Sequence, residues 1–581
     1  GLWQLSLKPK FIRTDAININ ITTIKDGEKN YLPKRHSRRI SSNAPRSLDP
    51  LGAFGDVSLK NVTVNIENKF TGTNRHITTN EIQMSSPSLS QTSLNINGSF
   101  SDAPFTIEGD INLKSLRQVP VKLELTLAKS RLNLDGTAYD PFYEPMYTGQ
   151  VRAQTPELLN PLQALGLNVP AFIQKSKRFK NIAFEGDLTV NDSEVSARGT
   201  KLQLNVPQDG EEIRREVVEG SVLFKKRKSE TPANLDINLE GQNLHLGQLF
   251  SAIEREQTSK AWSDAPFDLS MLGRFTFNAR FDGQKITYAG NEYDTLSLKM
   301  VNTNSTLTLE NLTVEDNGGI AKVSGIYGHS SAHPKMQAKI RIRNLPLESF
   351  LNSATSKTLT GEMTGSFDLT SRGISEKELI NQLNGTGEIH ITDGTLHGMK
   401  LKDTVTAMRK IFKRNESDEQ TNFSNMSLTF TVEDGTITNE DFYLHTEKAA
   451  LKAKGKVDLA NWTINVRVRP QLETGLVDLL VPVHISGALS APSIVPVVTN
   501  STGKGAALGA LLGGPIGAGI GAIIGSKVNK DNKTPEEQKD PLTPKEIKKL
   551  EEKVEEDIDD PLPFELENVT PDDVREYLNG E

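Results

Sequence analysis

Nine histidines are the side chains of this 581-residue sequence best suited to acid–base work or metal binding. His329 and His333 stand four apart, but in Gly328-His329-Ser330-Ser331-Ala332-His333-Pro334, which reads as a loop with no carboxylate to complete a ligand set. His36, His76, His245, His390, His397, His445 and His484 are scattered, and none falls in an HExxH spacing. Cysteine is absent, which excludes disulfide frameworks, thiolate metal sites and thiol nucleophiles. The glycine-rich stretch 505–525 lacks the Lys-Ser/Thr ending with which a phosphate-binding loop opens its helix. The sequence therefore predicts no catalytic residue, no metal site and no cofactor, and the chain is expected not to be an enzyme.

What remains is a scaffold, and its pattern is that of strands. Period-two alternation recurs in Val62-Thr63-Val64-Asn65-Ile66, in residues 121–127 (Val-Lys-Leu-Glu-Leu-Thr-Leu), in Leu235-Asp236-Ile237-Asn238-Leu239, in Thr306-Leu307-Thr308-Leu309 and in Ile464-Asn465-Val466-Arg467-Val468. Successive side chains of a strand point to opposite faces, so each run has one oily and one wet face. Asn97-Gly98, Glu108-Gly109, Asp135-Gly136, Asp282-Gly283, Asn384-Gly385, Asp393-Gly394 and Asp434-Gly435 read as the tight turns between them. The expected fold is mainly β, a long antiparallel meander. Hydrophobic residues make up 36% of the chain, which suits a thin sheet with one wet face better than a deep globular core.

Helices are few. Thr155-Pro156-Glu157 opens one carrying Leu158, Leu159, Leu162 and Leu165, and Ser375-Glu376-Lys377-Glu378 is a capping box ahead of Leu379 and Leu383. Residues 403–413 carry Val405, Met408, Ile411 and Phe412 at helical spacing. Such short helices suit lids at one end of a sheet. Two basic clusters, Lys34, Arg35, Arg38 and Arg39 in one and residues 225–228 in the other, read as solvated loops, with anionic lipid headgroups as the sharper alternative.

Residues 505–525 carry no charge, and Gly505, Gly509, Gly513, Gly517, Gly521 and Gly525 recur every four residues. On a helix they form one smooth ridge, the close-packing surface of membrane helices. Gly514-Pro515 interrupts the run, leaving a single span, a hairpin of two half-helices or a flexible linker open. From Lys527 to the end the chain holds 18 acidic against 9 basic residues. Thr543-Pro544-Lys545-Glu546 starts a charged helix there, and Thr570-Pro571 starts another. An acidic, semi-ordered tail is one reading and a partner-docking helix the other. The remaining body is nearly neutral, which argues against bulk nucleic-acid binding.

Several motifs come in an order that resembles the AsmA family. They are Ser263-Asp264-Ala265-Pro266-Phe267-Asp268-Leu269, the segment through Leu307-Thr308-Leu309-Glu310-Asn311-Leu312, Val323-Ser324-Gly325 and Leu383-Asn384-Gly385-Thr386-Gly387. The most specific stretch is Ile391-Thr392-Asp393-Gly394-Thr395-Leu396-His397-Gly398-Met399-Lys400-Leu401 followed by Thr421-Asn422-Phe423-Ser424, and Val481-Pro482-Val483-His484-Ile485-Ser486-Gly487 closes the pattern. The resemblance spans most of residues 90–497. It implies a long curved antiparallel β-sheet groove, a repeating β-groove, that carries phospholipid between the inner and outer membranes of a Gram-negative envelope. The phospholipids and the two membranes would be the partners, and an envelope protein could bind the acidic tail. Leu307, Leu309, Leu428, Phe430 and Val432 are the candidate lining residues, with packing under a helix or second sheet as the ordinary alternative.

The chain begins with Gly1 and enters strand-like sequence with no signal stretch, so it reads as a fragment or processed chain. The family's N-terminal inner-membrane anchor would lie in the missing part. The expected organisation is an N-terminal part of the groove at 1–130, a middle part at 131–390 and a C-terminal module at 391–497. A glycine-zipper membrane segment at 498–526 and the acidic tail at 527–581 complete it. Two other functions fit the same pattern, a non-transporting scaffold for outer-membrane proteins or lipopolysaccharide and a secreted β-rich adhesin.

Overall fold

The computed structural model describes residues 11–23, 55–246, 262–497 and 540–559, apart from short intervening stretches of which 166–179 and 398–419 are the longest. These residues form two units. The first holds the described residues up to 246 together with 277–284, and the second holds the rest.

The strands of the first unit are β1 (Phe11–Thr23), β2 (Gly55–Asn68), β3 (Thr73–Ser88), β4 (Gln91–Phe100), β5 (Ala103–Ile111) and β6 (Gln118–Leu127). They continue with β7 (Ser130–Tyr139), β8 (Met146–Glu157), β9 (Lys180–Val190), β10 (Glu194–Pro207), β11 (Ile213–Lys225) and β12 (Ala233–Gln242). From β2 to β12 each strand pairs antiparallel with the next. β13 (Phe275–Tyr288) gives its middle to this unit and its ends to the second.

The second unit continues with β14 (Asn291–Asn302), β15 (Thr306–Asp316), β16 (Gly319–Gly328), β17 (Lys335–Pro346), β18 (Leu359–Arg372) and β19 (Asn384–His397). β20 (Gln420–Glu433), β21 (Thr436–His445), β22 (Ala449–Asp458), β23 (Thr463–Leu472), β24 (Val483–Ala488) and β25 (Ser493–Pro496) complete it. Here too neighbours in sequence pair antiparallel, from β14 to β25.

The expectation of a long curved antiparallel groove is corrected. The sheet is mixed, because β1 runs parallel to β2, from Phe11 opposite Asp56 to Thr23 opposite Asn68. A parallel pair needs a long crossover, and the sequence between the two strands, residues 24–54, is long enough for one. Within each unit the pairings form an open ladder and do not close a barrel: among the described residues β1 pairs with β2 at one end of the first, β25 pairs with β24 at one end of the second, and the strands between pair with their neighbours in sequence. The mainly-β class and the scarcity of helices hold.

The turn assignment changes as well. Only Asp434-Gly435 is a hairpin turn, and the other six glycine pairs lie inside strands. Several tight turns use residues without glycine: Ser101-Asp102 joins β4 to β5 with φ 46° and 72°, and Ala128-Lys129 joins β6 to β7 with φ 48° and 69°. The strand glycines serve close approach instead. Gly109 in β5 has φ 145°, and a Cβ there would sit 2.0 Å from the Lys122 carbonyl oxygen on β6. Gly109→Ala is therefore expected to destabilise the protein by well over about 1 kcal/mol, since an alanine forced to positive φ adds strain to the clash. Thermal unfolding of the variant would measure it.

Helices are short. α1 (Leu159–Ala164) starts four residues later than Thr155, which belongs to β8. α2 (Glu376–Asn381) has the predicted cap: the Ser375 hydroxyl accepts from the Glu378 amide, and the Glu378 carboxylate accepts from the Ile374 amide. α3 (Pro544–Asp559) begins with a second capping box, Thr543 and Glu546 each accepting from the other's amide. The predicted helix over 403–413, the Thr570-Pro571 start and the basic cluster at residues 34–39 lie outside the described residues.

Candidate functional site: an apolar sheet face in each unit

Residues paired across strands share a face, so registers show what each face carries. In the first unit one row runs Leu59, Ile82, Ile96, Ile107, Leu125 and Leu132, across β2 to β7. It continues through Ala153, Phe184, Leu202, Val218 and Gly241 on β8 to β12. Every member except Gly241 is half-buried. The adjacent row faces the other way and is polar: Asn95, Glu108, Glu124, Asn133, Arg152, Glu185, Lys201, Glu219 and Glu240. Exposed pairs such as Lys201–Glu219 at 2.8 Å cross-link that wet face.

The second unit repeats the arrangement. One apolar row runs Leu312, Val323, Ile340, Phe367, Gly387 and Phe430, and a second runs Val314, Ala321, Ile342, Gly365, Ile389 and Leu428. A third passes from Leu309 through Gly325, Ala338, Leu369 and Gly385 to Val432, then through Ile437, Val457 and Ile464 to Gly487. All five residues singled out in the sequence thus stand on one face. Leu307, Leu309, Leu428 and Phe430 are half-buried there, whereas Val432 is buried at 3% exposure.

Glycines shape this face. A Cβ at Gly387 would meet the Phe430 ring at 2.3 Å, so the missing side chain is what lets the aromatic lie across the neighbouring strand. Phe430 also approaches Phe367, ring centroids 6.0 Å apart. One end of the face is closed into a core of Ile342, Leu345, Leu347, Met363, Ile391, Phe423, Met426 and Leu444. Sequence reading missed most of these rows, because strands such as β9, β11 and β17 carry bulges or mixed residues that hide the alternation.

Residues 262–267 act as a clamp. The Trp262 indole donates to the Leu459 carbonyl at 2.8 Å and stacks on Trp462 at 5.0 Å between centroids. The Ser263 carbonyl accepts from the Lys377 amide, Phe267 donates its amide to the Ile374 carbonyl, and Lys377 pairs with Asp264 at 2.9 Å. This motif holds α2 against the sheet.

The polar face of the second unit is partly covered. α3 buries Leu550, Val554 and Ile558, one apolar stripe, against Ile320 on β16. Arg341 on β17 is enclosed there: its guanidinium donates to Asp557 of α3, to Asp368 on β18 and to the carbonyls of Phe367 and Ile340. The tail is therefore, over these residues, an ordered docked helix. His390 on β19 lies on the same face, 6% exposed. Burial holds its imidazole below the usual histidine range, and the Glu551 carboxylate of α3 opposes that only in part. A histidine kept neutral by folding stabilises the protein above its unfolded value near 6.5, and the contribution is lost as pH falls below it. Unfolding midpoints measured between about pH 7.5 and pH 5 should fall with pH, and less so in His390→Gln.

The histidines show no shared chemistry. His329 contacts Asn302 Oδ1 at 3.0 Å while His333 is exposed, and among the described residues no three His, Asp or Glu side chains are grouped as metal ligands. Among the described residues no helix is long and apolar enough to cross a membrane. The glycine positions Gly505, Gly509, Gly513, Gly517, Gly521 and Gly525 lie outside them.

The fold and its faces define a class: an open, two-faced β ladder that offers an extended apolar surface. Comparison with known families places it further. The pattern of the AsmA family matches residues 20–442, most of the chain, and the chain belongs to that family. Membership suggests a lipid-transport-related role in the cell envelope and supports an envelope or periplasmic location. Proteins of this family are generally non-catalytic transport or scaffold proteins. No curated protein and no solved structure matches the chain.

Proposed function

We propose that this chain is an envelope lipid-transfer protein that moves phospholipid between the inner and outer membranes and so maintains the lipid balance of the outer membrane. Acyl chains lie against the apolar face of the open sheet, and headgroups remain on the water side. The observation that carries this reading is the row from Leu59 to Gly241, eleven cross-strand positions without a polar side chain, of which all but Gly241 are only partly buried. A face that served only as a core would bury this row as fully as it buries Phe105, Leu127, Val151, Ile182 and Leu204, two residues away along the same strands.

The energetics favour such a surface. Each methylene removed from water gains about 0.8 kcal/mol, so a single acyl chain of some 14 methylenes is worth on the order of 10 kcal/mol against water. A sheet face need only approach the apolarity of the bilayer for exchange between the two to be nearly balanced. Leu307, Leu309, Leu428 and Phe430 are the proposed contacts in the second unit, whereas Val432, already buried, offers no surface to lipid.

The test is transfer of a fluorescent phospholipid from donor to acceptor liposomes. Purified protein should accelerate transfer in proportion to its concentration. A folded protein that leaves the rate at the spontaneous value would contradict the proposal and favour the non-transporting scaffold.

A further inference from the structure

The helix α3 lies beyond the residues matched by the family pattern, and it sits on the face built to be wet. Its seat is specific. Apolar residues at Leu550, Val554 and Ile558 repeat every four residues and are buried at 1%, 0% and 7% exposure. The carboxylates of Asp557 and Glu555 meet Arg341 and Arg343, the latter at 3.6 Å. The Lys322 ammonium donates to the carbonyls of Asp557 and Ile558, at the helix C-terminus where a cation complements the dipole.

The seat also carries a cost. Ser324 and Ser366, in register with or beside Arg341 and Lys322, and His390, which faces Glu551 of α3, are all buried with a side-chain polar atom that finds no hydrogen-bond partner. Buried polar groups left unmet weaken the covered state relative to one in which water reaches them. The acids that hold the helix, Asp557 and Asp368, are themselves 36% and 40% exposed, so the ion pairs are partly screened.

We propose that the polar face of β16–β18 is a docking site for acidic amphipathic helices, and that α3 is a displaceable occupant holding it in cis against a helix of the same kind on a partner protein. The recognition pattern is an apolar stripe at n, n+4 and n+8 with carboxylates at n+5 and n+7, read by Ile320, Arg341, Arg343 and Lys322. The inference does not rest on lipid transfer.

The experiment uses the full chain and, as probe, a fluorescein-labelled peptide of residues 541–560. Val554→Asp in the chain disrupts its own α3 stripe without touching the sheet. Fluorescence anisotropy should then show saturable peptide binding at least about tenfold tighter than to the unsubstituted chain, the difference reporting the cis occupant. A peptide carrying Asp557→Asn should bind about tenfold more weakly, which tests the Arg341 contact without altering the protein. If the Val554→Asp chain keeps its sheet by circular dichroism and binds neither peptide, or binds both equally, the site does not exist as proposed. If the unsubstituted chain forms a concentration-dependent dimer that the peptide dissolves, the competing helix is that of a second copy, and the partner-protein assignment is overturned.

Discussion

Replacing Leu125 or Leu309 with Asp is expected to lower phospholipid bound per chain by about thirtyfold at the affected stretch while leaving the sheet folded. Both side chains are half-buried and sit in apolar rows, on β6 and β15. A carboxylate there is solvated in the empty protein but must be desolvated, or must hold water, under an acyl chain. Even about 2 kcal/mol of such penalty, the low end for an unmet polar group, is a factor of about thirty. Lipid extraction from purified variants would measure it. Phe430→Asp is a poorer test, although it lies on the same face. Its ring fills the space left by Gly387 and packs near Phe367, so the variant also opens a cavity and should lose about 3 kcal/mol of stability. Unchanged lipid loading in folded Leu125→Asp and Leu309→Asp would remove the apolar face from the account.

Arg341→Met is expected to cost about 3 kcal/mol of stability in the second unit and to release α3. The side chain is 4% exposed and serves two carboxylates and two carbonyls at once. Its loss leaves Asp557 without its guanidinium and Asp368 with only the Lys553 ammonium of α3, 3.8 Å away. Because both acids are partly exposed and can take water, the effect belongs at the lower end of the range for broken buried pairs. Arg343→Met is the internal comparison. That pair is exposed and should contribute less than about 1 kcal/mol. Denaturant melts of the two variants, with limited proteolysis near residue 540 to report α3, separate the cases. Equal losses would mean that Arg341 acts only through bulk.

The alternation in residues 121–127 and around Leu307 and Leu309 made the strands and their oily side legible in the sequence, and the Ser375 and Thr543 caps made α2 and α3 legible. Other features were not. Asn97-Gly98 and Asp393-Gly394 look like turns because glycine permits positive φ, yet the same residue serves wherever strands or rings come too close for a Cβ, and only the partner strand distinguishes the uses. The parallel pairing of β1 with β2 is invisible locally, since the alternation within a strand is the same whichever way its neighbour runs. Arg341 was unreadable as a helix seat because its partner Asp557 lies more than two hundred residues away. The acidic tail showed charge, while the stripe of Leu550, Val554 and Ile558 within it decides docking.

The central claim is that the apolar face binds acyl chains, and native mass spectrometry of the purified protein, with lipid extraction from the same sample, tests it most directly. Several phospholipids per chain, diminished in Leu125→Asp and Leu309→Asp, is the predicted result. A folded chain that carries no lipid would contradict the account and leave a scaffold whose apolar face meets something other than lipid.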